Sequence, residues 1–243
     1  MNLTRRQIIG TAAGCCVLPA VVGQANDAVR RSRSAHVVLL GDSIFDNQRY
    51  IGNQPSVIAQ VRKAIPVDWQ ATLVAVDGQV SSDVADQLKK LPADATHLVI
   101  SVGGNDALSE SSVLTSPAAS SAEVFLKLAM IRERFAKTYS AMLEKVIATG
   151  KQVTLCTIYD PRFENESQQR MCVAALGVFN DVITRAAAQH GLPLIDLRVV
   201  FSDAADYANA IEPGPKGGKK IAKLIHQIVA SHDFQSRLSA TYV

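Results

Sequence analysis

His36-Val37-Val38-Leu39-Leu40-Gly41-Asp42-Ser43 is the stretch that decides the fold of this chain. Four consecutive apolar residues, two of them β-branched, predict a short strand that is buried on both faces. This strand leads directly into a glycine and then a serine. Because open α/β sheets place their functional groups at the carboxyl edge, a buried strand that ends in a small, potentially nucleophilic residue indicates where the chemistry takes place.

Strands and helices alternate along the rest of the chain. Short apolar runs predict further strands at residues 71–76, 97–102, 152–158 and 194–196. Apolar residues at helical spacing predict helices at about 53–65, 82–91, 122–149, 168–189 and 215–230. Residues 107–121 are rich in Ser, Ala and Pro and lack a period, so we expect an exposed loop there that flanks a pocket. The alternation predicts one three-layer α/β/α domain, with a parallel sheet of five strands, over residues 35–243.

The composition is that of a globular protein. Of the 243 residues, 48% are hydrophobic and 19% are charged, which excludes the fibrous and disordered classes. The formal net charge is +3, but residues 1–34 hold five arginines and one aspartate, which leaves 20 basic and 21 acidic residues in the rest of the chain. Because the predicted domain is nearly neutral, its charge indicates neither a nucleic acid nor an anionic membrane as a partner.

The first 25 residues have the order of an export signal. Two adjacent arginines, Arg5 and Arg6, precede a weakly apolar run from Ile8 to Val22, and small residues follow it. The paired arginines indicate the twin-arginine type, which carries folded proteins across a bacterial membrane. The run is shorter than the roughly 20 apolar residues that a membrane-spanning helix needs. We therefore expect an export signal at 1–25, a linker at 26–34, and a mature periplasmic or extracellular protein with no stable membrane span.

Two of the four cysteines, Cys156 and Cys172, lie in the predicted domain. No short motif joins them, so they predict neither a disulfide framework nor a zinc site. We expect both to be ordinary buried thiols.

Glycines and polar residues follow the predicted strands directly. In a parallel sheet the carboxyl ends of all strands lie at one edge, so residues far apart in sequence become neighbours there. One hydroxyl, flexible glycine turns and a carboxamide suit acyl transfer, in which a serine attacks a carbonyl while N–H donors stabilise the oxygen that becomes negative. The edge segments are Gly41-Asp42-Ser43, Asp77-Gly78, Gly103-Gly104-Asn105-Asp106 and Tyr159-Asp160.

Three of these segments together resemble the sequence blocks of the GDSL, or SGNH, hydrolase family of esterases and lipases. Gly41-Asp42-Ser43 matches the first block, Gly78 the second, and Gly103-Gly104-Asn105-Asp106 the third, in the family's order. The resemblance extends over residues 36–230. It implies a flavodoxin-like fold, Ser43 as the nucleophile, and an oxyanion hole made of the Ser43 and Gly78 N–H groups with the Asn105 amide.

The last block departs from the family pattern. Where the family has an aspartate, two residues and then a histidine, this chain has Asn209-Ala210-Ile211-Glu212-Pro213. Glu212 therefore stands in the place of the general base, and Asn209 in that of its aspartate partner. The histidines elsewhere are poor substitutes, because three precede strands at the opposite edge, one lies well inside the last helix and one follows it. They are His36, His97, His190, His226 and His232.

Glu212 has two interpretations. As a general base it accepts the Ser43 proton, which requires burial to raise its pKa from about 4.3 towards the working pH. A serine paired with a glutamate is workable chemistry, as in serine-carboxyl peptidases, and Asn209 or Asp206 would orient the glutamate. Alternatively, Glu212-Pro213-Gly214 is only a turn whose carboxylate favours the N-terminus of the final helix.

Four more charged residues near this edge are candidates for binding substrate. Asp42 has either this role or a structural one, through bonds to nearby backbone N–H groups. Asp46, Asp160 and Arg162 lie on loops predicted to border the same edge. They either bind a polar substrate or pair with one another as surface charges.

The sequence thus predicts an exported serine esterase that acts on a small-molecule ester or acylated carbohydrate, without a metal ion or an organic cofactor. A catalytically silent domain that keeps the pocket and binds such a ligand is the alternative, because the usual histidine is missing. A flavodoxin-like cofactor binder is a third hypothesis, which is weakened because the turns lack phosphate-loop and Gly-x-Gly-x-x-Gly patterns.

Overall fold

One six-stranded sheet forms the centre of the protein in a computed structural model that describes residues 34–243. The strands are β1 (His36–Gly41), β2 (Gln70–Leu73), β3 (His97–Ser101), β4 (Gln152–Cys156), β5 (Leu194–Ile195) and β6 (Thr241–Tyr242). Their order across the sheet is β2-β1-β3-β4-β5-β6, and every neighbouring pair is parallel. The first five strands keep the order of flavodoxin-like folds.

Seven α-helices accompany these strands in the described part of the chain. They are α1 (Val57–Ala64), α2 (Val84–Leu88), α3 (Gly104–Ser109), α4 (Ser121–Ile147), α5 (Glu166–His190), α6 (Leu197–Val200) and α7 (Pro215–Ser231). The two longest begin at polar caps, since the side chains of Ser120 and Asn165 accept backbone N–H groups in the first turns of α4 and α5. Pro215, which lacks an N–H, opens α7.

The side chains of β1 alternate between the two faces of the sheet, and each face carries a hydrophobic core. Val37 and Leu39 belong to the core that α1 and α7 cover. Val38 and Leu40 belong to the core beneath α4 and α5. This alternation confirms the predicted three-layer α/β/α architecture.

The predicted count of five strands is wrong, because β6 extends the sheet beyond β5. The Leu194 N–H donates to the Ala240 carbonyl and the Asp196 N–H to the Tyr242 carbonyl, both at 2.9 Å. A strand of two residues, one of them exposed, has no apolar run that would indicate it in the sequence.

The predicted loop at 107–121 is also partly wrong. It contains the end of α3 and a 3₁₀ helix at Ser111–Leu114. Ala107 and Val113 pack against the core beneath α4, so tertiary contacts order a segment whose own sequence has no helical period. The predicted export signal at 1–25 and residues 26–33 of the linker lie outside the described residues.

Among the described helices, α5 alone is long and apolar enough to cross a membrane by length and composition. The core helix of a globular domain can pass the same test. The C-terminal half of α5 buries Phe179, Val182, Ile183 and Ala187 in the protein core, so the test is weak evidence for a membrane span.

Candidate active site

The turn after β1 has room for glycine only. Gly41 has φ +128°, and a Cβ atom built there would lie 1.8 Å from the carbonyl oxygen of Ser101 on β3. The buried side chain of Gln87 on α2 accepts the Gly41 N–H at 2.8 Å and donates to the Gly41 carbonyl at 2.7 Å. The position of Ser43, two residues further on, is therefore set by β1, β3 and α2 together.

Ser43 itself lies in a tight turn. The N–H groups of Phe45 and Asp46 donate to the Asp42 carbonyl at 3.2 and 3.1 Å, and the Ile44 N–H donates to Asp42 Oδ1 at 3.1 Å. Within residues 34–243, no acceptor pairs with the backbone N–H of Ser43. The turn therefore leaves one donor at the predicted nucleophile available to a ligand.

The other two predicted oxyanion donors lie on the neighbouring turns. The Asn105 side-chain amide donates to the Gln79 carbonyl at 2.9 Å, which ties the turn after β3 to the turn after β2. Gly78, next to Gln79, has φ +83°, and its N–H has no acceptor among the described residues. Unpaired N–H groups at one sheet edge are what an oxyanion hole requires.

Hydrogen bonds hold the backbone around Glu212. The Asn209 side-chain oxygen accepts the N–H groups of Ile211 and Glu212, at 2.9 and 3.0 Å. The buried side chain of Asn47 donates to the Pro213 carbonyl at 2.9 Å. Asn209 therefore fixes the backbone of this loop rather than the Glu212 carboxyl group.

The Glu212 side chain is buried beside Ser43, and the residue is only 4% exposed. Burial raises the pKa of Glu212 to about 7, the Ser43 hydroxyl lowers it through a side-chain interaction, and the negative charge of Asp77 raises it. Oε2 of Glu212 has no hydrogen-bond partner in the described part of the chain. The buried carboxyl group can thus take up a proton near neutral pH.

Asp42 is a second buried carboxyl group at this edge, 2% exposed. Burial raises its pKa to about 8, the Ile44 N–H lowers it, and the negative charges of Glu212 and Asp106 raise it. Because each negative charge disfavours the other, the two carboxyl groups do not ionise independently as the pH rises.

Ser43, Glu212, Asn105 and Asp42 line one cleft, here called the site cleft, of about 1020 Å³ including its part open to solvent. Its walls are formed by the ends of β3 and β4 and by residues of α3, α4 and α5, and most of the other lining side chains are apolar. Gly78 is not among the described residues that line it. The site cleft thus connects the predicted nucleophile and base to an apolar cavity.

A comparison with sequence families shows which family the chain belongs to. The model of the GDSL-like Lipase/Acylhydrolase family matches residues 39–226, from within β1 to within α7. The chain belongs to the GDSL-like lipase/acylhydrolase family. The matched range includes the three predicted sequence blocks and Glu212. No curated protein matches the chain.

Several solved structures share the fold of this GDSL-like chain. The extracellular lipase from Streptomyces rimosus is 19% identical, with a TM-score of 0.60 over 82% of this chain and 100% of that one. The phospholipase A1 from Streptomyces albidoflavus NA297 is 19% identical, with a TM-score of 0.57 over 82% and 100% of the two chains. The acetyl xylan esterase AlAXEase is 17% identical, with a TM-score of 0.58 over 80% and 99%. At these identities the likeness establishes the fold.

All five histidines of this GDSL-like chain lie among the described residues, and none of them lines the site cleft. Each has another place in the fold. His36 bonds Asp94 and Thr72, His97 packs on Phe234, His190 ends α5, His226 packs on Trp69, and His232 bonds Tyr242. Among the described residues, the carboxyl groups that line the site cleft are those of Asp42, Glu110 and Glu212.

Three predicted substrate-binding residues lie outside the site cleft. Asp46 accepts the backbone N–H of Asp77 at 3.1 Å. The carbonyl of Asp160 accepts the Tyr207 hydroxyl at 2.7 Å, and burial raises the pKa of the Asp160 carboxyl group. The Arg162 guanidinium lies 5.6 Å from the centre of the Tyr207 ring. Asp160 and Arg162 thus both contact Tyr207. Of the four candidates, only Asp42 lines the cleft.

Asp206, the other residue predicted to orient Glu212, has different partners. Lys220 donates to its Oδ2 at 2.6 Å, and the Asp203 N–H donates to the same oxygen at 3.0 Å. The Asp206 carbonyl accepts the Gly214 N–H at 2.7 Å. Asp206 therefore holds the start of α7, which follows the Glu212 loop.

Several residues that build the site gave no signal in the sequence. Gln87 bonds Gly41 from 46 positions away, and Asn47 bonds Pro213 from 166 positions away. Arg49 and Tyr50 bond the Asp77 carboxylate at 2.8 and 3.0 Å, and Asp77 in turn raises the pKa of Glu212. Isolated polar residues of this kind acquire a role only when the fold brings their partners to them.

The two cysteines of the domain are free thiols. Cys156 is buried, as expected, but Cys172 is only half-buried because it lies on the part of α5 that lines the site cleft. Residues 34–243 hold no group of three or more His, Cys, Asp or Glu side chains that could bind a metal ion.

Proposed function

We propose that the protein is an exported serine ester hydrolase in which Ser43 is the nucleophile and Glu212 the general base. The observation that carries this proposal is that Ser43 and the buried carboxyl group of Glu212 line the same cleft, where burial raises the pKa of Glu212 to about 7. An exposed glutamate, with a pKa near 4.3, would be too weak a base at neutral pH. Burial brings Glu212 to the range in which histidine ordinarily titrates, around 6.5.

The reaction follows from the positions of these groups. Glu212 takes the proton of the Ser43 hydroxyl as the oxygen attacks the ester carbonyl, and the carbonyl oxygen becomes negative. The N–H groups of Ser43 and Gly78 and the Asn105 amide stabilise that oxygen. Glu212 then gives the proton to the leaving alcohol, which leaves the acyl group on Ser43. Water activated by Glu212 releases the acid in the second half of the reaction.

Asp42 supports this division of roles. Burial raises its pKa to about 8, so Asp42 is largely protonated at neutral pH. A neutral Asp42 adds no second negative charge next to the forming oxyanion. Ser43 thus has one charged carboxylate beside it rather than two.

The substrate is a small-molecule ester, with an acylated carbohydrate as the alternative. Lipases, a phospholipase A1 and an acetyl xylan esterase share the fold, so the fold alone leaves the acyl group and the alcohol open. Export is supported by the leader at 1–25, with Arg5 and Arg6 before an apolar run. Expression with Arg5 and Arg6 replaced by lysine should leave the protein in the cytoplasm.

Hydrolysis of p-nitrophenyl esters by the mature protein tests the proposal. We expect turnover that Ser43→Ala abolishes, while Ser82→Ala, at an exposed serine that does not line the cleft, keeps the wild-type rate. Activity that survives Ser43→Ala would refute the mechanism. A cleft without histidine also favours a silent binding domain, and saturable ester binding without turnover by either protein would establish that function instead.

A further inference from the structure

The walls of the site cleft beyond Ser43 are almost entirely apolar. Leu128 and Ile131 of α4 and Leu176 and Phe179 of α5 line it together. Three of the polar lining side chains away from the catalytic residues are already engaged. The Tyr159 hydroxyl donates to the Ile211 carbonyl at 2.6 Å. Thr157 bonds Asp196 and Leu197, and Glu110 bonds Arg134 at 2.9 Å.

The two halves of α5 are apolar for different reasons. Its C-terminal half is buried in the core, whereas Cys172, Ala175 and Leu176 in its N-terminal half are only partly buried and line the site cleft. The apolar residues in the N-terminal half of α5, which contribute to its likeness to a membrane-spanning helix, thus form a wall of the site cleft. An apolar wall next to a nucleophile binds an apolar part of the substrate.

The length of this wall sets the size of the group it can hold. Cys172 and Phe179 are seven residues apart on one helix, which places them about 10 Å apart along its axis. An extended alkyl chain advances roughly 1.3 Å per carbon, since its C–C bonds are about 1.5 Å long. The wall therefore matches an unbranched chain of roughly eight carbons.

We infer that the site cleft binds the acyl chain of the substrate and selects unbranched acyl groups of roughly eight carbons over acetyl groups. This inference rests on the proposed ester hydrolysis by Ser43 and names its substrate class. It excludes an acetylated carbohydrate as the preferred substrate, because a sugar in this cavity would find few free hydrogen-bonding groups to replace its water.

The alcohol part of the ester leaves on the polar side of Ser43. The group that protonates a leaving alcohol must lie beside it, and the charges of Asp77 and Arg49 act on Glu212. Neither residue lines the site cleft, and the Arg49 side chain is 72% exposed. The alcohol therefore faces this hydrated, charged side, and the acyl chain remains in the apolar cleft.

Two series of esters test the inference on the wild-type protein. In p-nitrophenyl esters of increasing acyl length, kcat/KM should rise from acetate to octanoate, by at most about fourfold per methylene, and then level off. In acetate esters of increasing alcohol length, kcat/KM should change little. Acetate as the best acyl group, or a steeper dependence on the alcohol chain than on the acyl chain, would overturn the inference.

Ala175 and Ala174 provide a matched pair of variants on one helix. Ala175 lines the site cleft, whereas Ala174 is exposed and does not line it. Ala175→Phe should lower the octanoate-to-acetate ratio of kcat/KM at least tenfold, whereas Ala174→Phe should leave the ratio within twofold of wild type. An equal octanoate-to-acetate ratio in both variants would show that the acyl chain of the substrate does not lie along α5.

Binding measured without turnover separates this inference from the proposed function. Ser43→Ala protein should bind octanoate, but not acetate, in isothermal titration calorimetry, and adding Ala175→Phe should weaken that binding at least tenfold. Octanoate binding together with an inert Ser43 would refute the proposed hydrolysis but support the inference that the cleft binds an acyl chain. Ester turnover without octanoate binding or a chain-length preference would refute the inference about acyl binding but support the proposed hydrolysis.

Discussion

The side-chain oxygen of Asn209 accepts the backbone N–H of Glu212 at 3.0 Å. The same oxygen accepts the Ile211 N–H at 2.9 Å, and the Ala208 N–H donates to the Glu212 carbonyl at 2.9 Å. Asn209, which stands where the family has an aspartate, therefore orients the loop. Oε2 of Glu212 has no hydrogen-bond partner within residues 34–243.

Removal of the Asn209 side chain should impair this positioning. Asn209→Ala leaves two N–H groups without their acceptor, at about 1 kcal/mol for each lost hydrogen bond. We expect kcat/KM for a p-nitrophenyl ester to fall about tenfold, which corresponds to about 1.4 kcal/mol. Asn53→Ala, at an exposed position, is the control and should keep the wild-type value. Unchanged kinetics in Asn209→Ala would show that the loop holds Glu212 without this side chain.

Much of the fold follows from local sequence patterns. The run Val37–Leu40 predicts a strand buried on both faces, and β1 is buried along its whole length. The apolar spacing of residues 122–149 likewise predicts α4, which spans Ser121–Ile147. What local patterns missed, β6 and the helical turns at 104–114, is held by contacts with distant parts of the chain.

The parallel topology of the sheet allowed us to predict which residues of the site lie at the same edge. Ser43 and Asn105 follow strands that are neighbours in the sheet, so their common edge follows from the order of elements. The cleft's depth and the links that Gln87 and Asn47 make could not be predicted, because they depend on where long loops return. The catalytic roles of Ser43, Gly78, Asn105 and Glu212 stay predictions.

Gly41 should tolerate no other residue. Alanine there would require a φ of +128° and would place a Cβ atom 1.8 Å from the Ser101 carbonyl, so we expect Gly41→Ala to lower the free energy of unfolding by about 3 kcal/mol or more. Gly177 on α5 is the matched control, since a Cβ atom there meets nothing within 4 Å. Gly177→Ala should raise the free energy of unfolding by about 0.5–1 kcal/mol. Urea denaturation measures both, and equal effects would contradict the predicted crowding at Gly41.

The pH dependence of hydrolysis should report Glu212. A base works in its deprotonated form, so a pKa raised to about 7 means that kcat/KM falls as the pH drops through 7, by about tenfold per pH unit below it. Asp77 raises the pKa of Glu212 and Arg49 lowers it. Asp77→Asn should therefore move the acid limb to lower pH, and Arg49→Gln should move it to higher pH. Shifts in the same direction in both variants would show that Glu212 is not the titrating group.

The rate at which a fluorophosphonate modifies Ser43 tests the central claim, that Glu212 activates this serine, most directly. Mass spectrometry of the intact protein follows the modification at pH 8, with Ser43→Ala as the blank and no assumption about the natural substrate. If Glu212 is the base, wild-type protein is modified at Ser43 and Glu212→Gln, which keeps the shape of the side chain, reacts about 100-fold more slowly. Equal rates of modification in wild-type and Glu212→Gln protein, or no modification of either, would contradict the account.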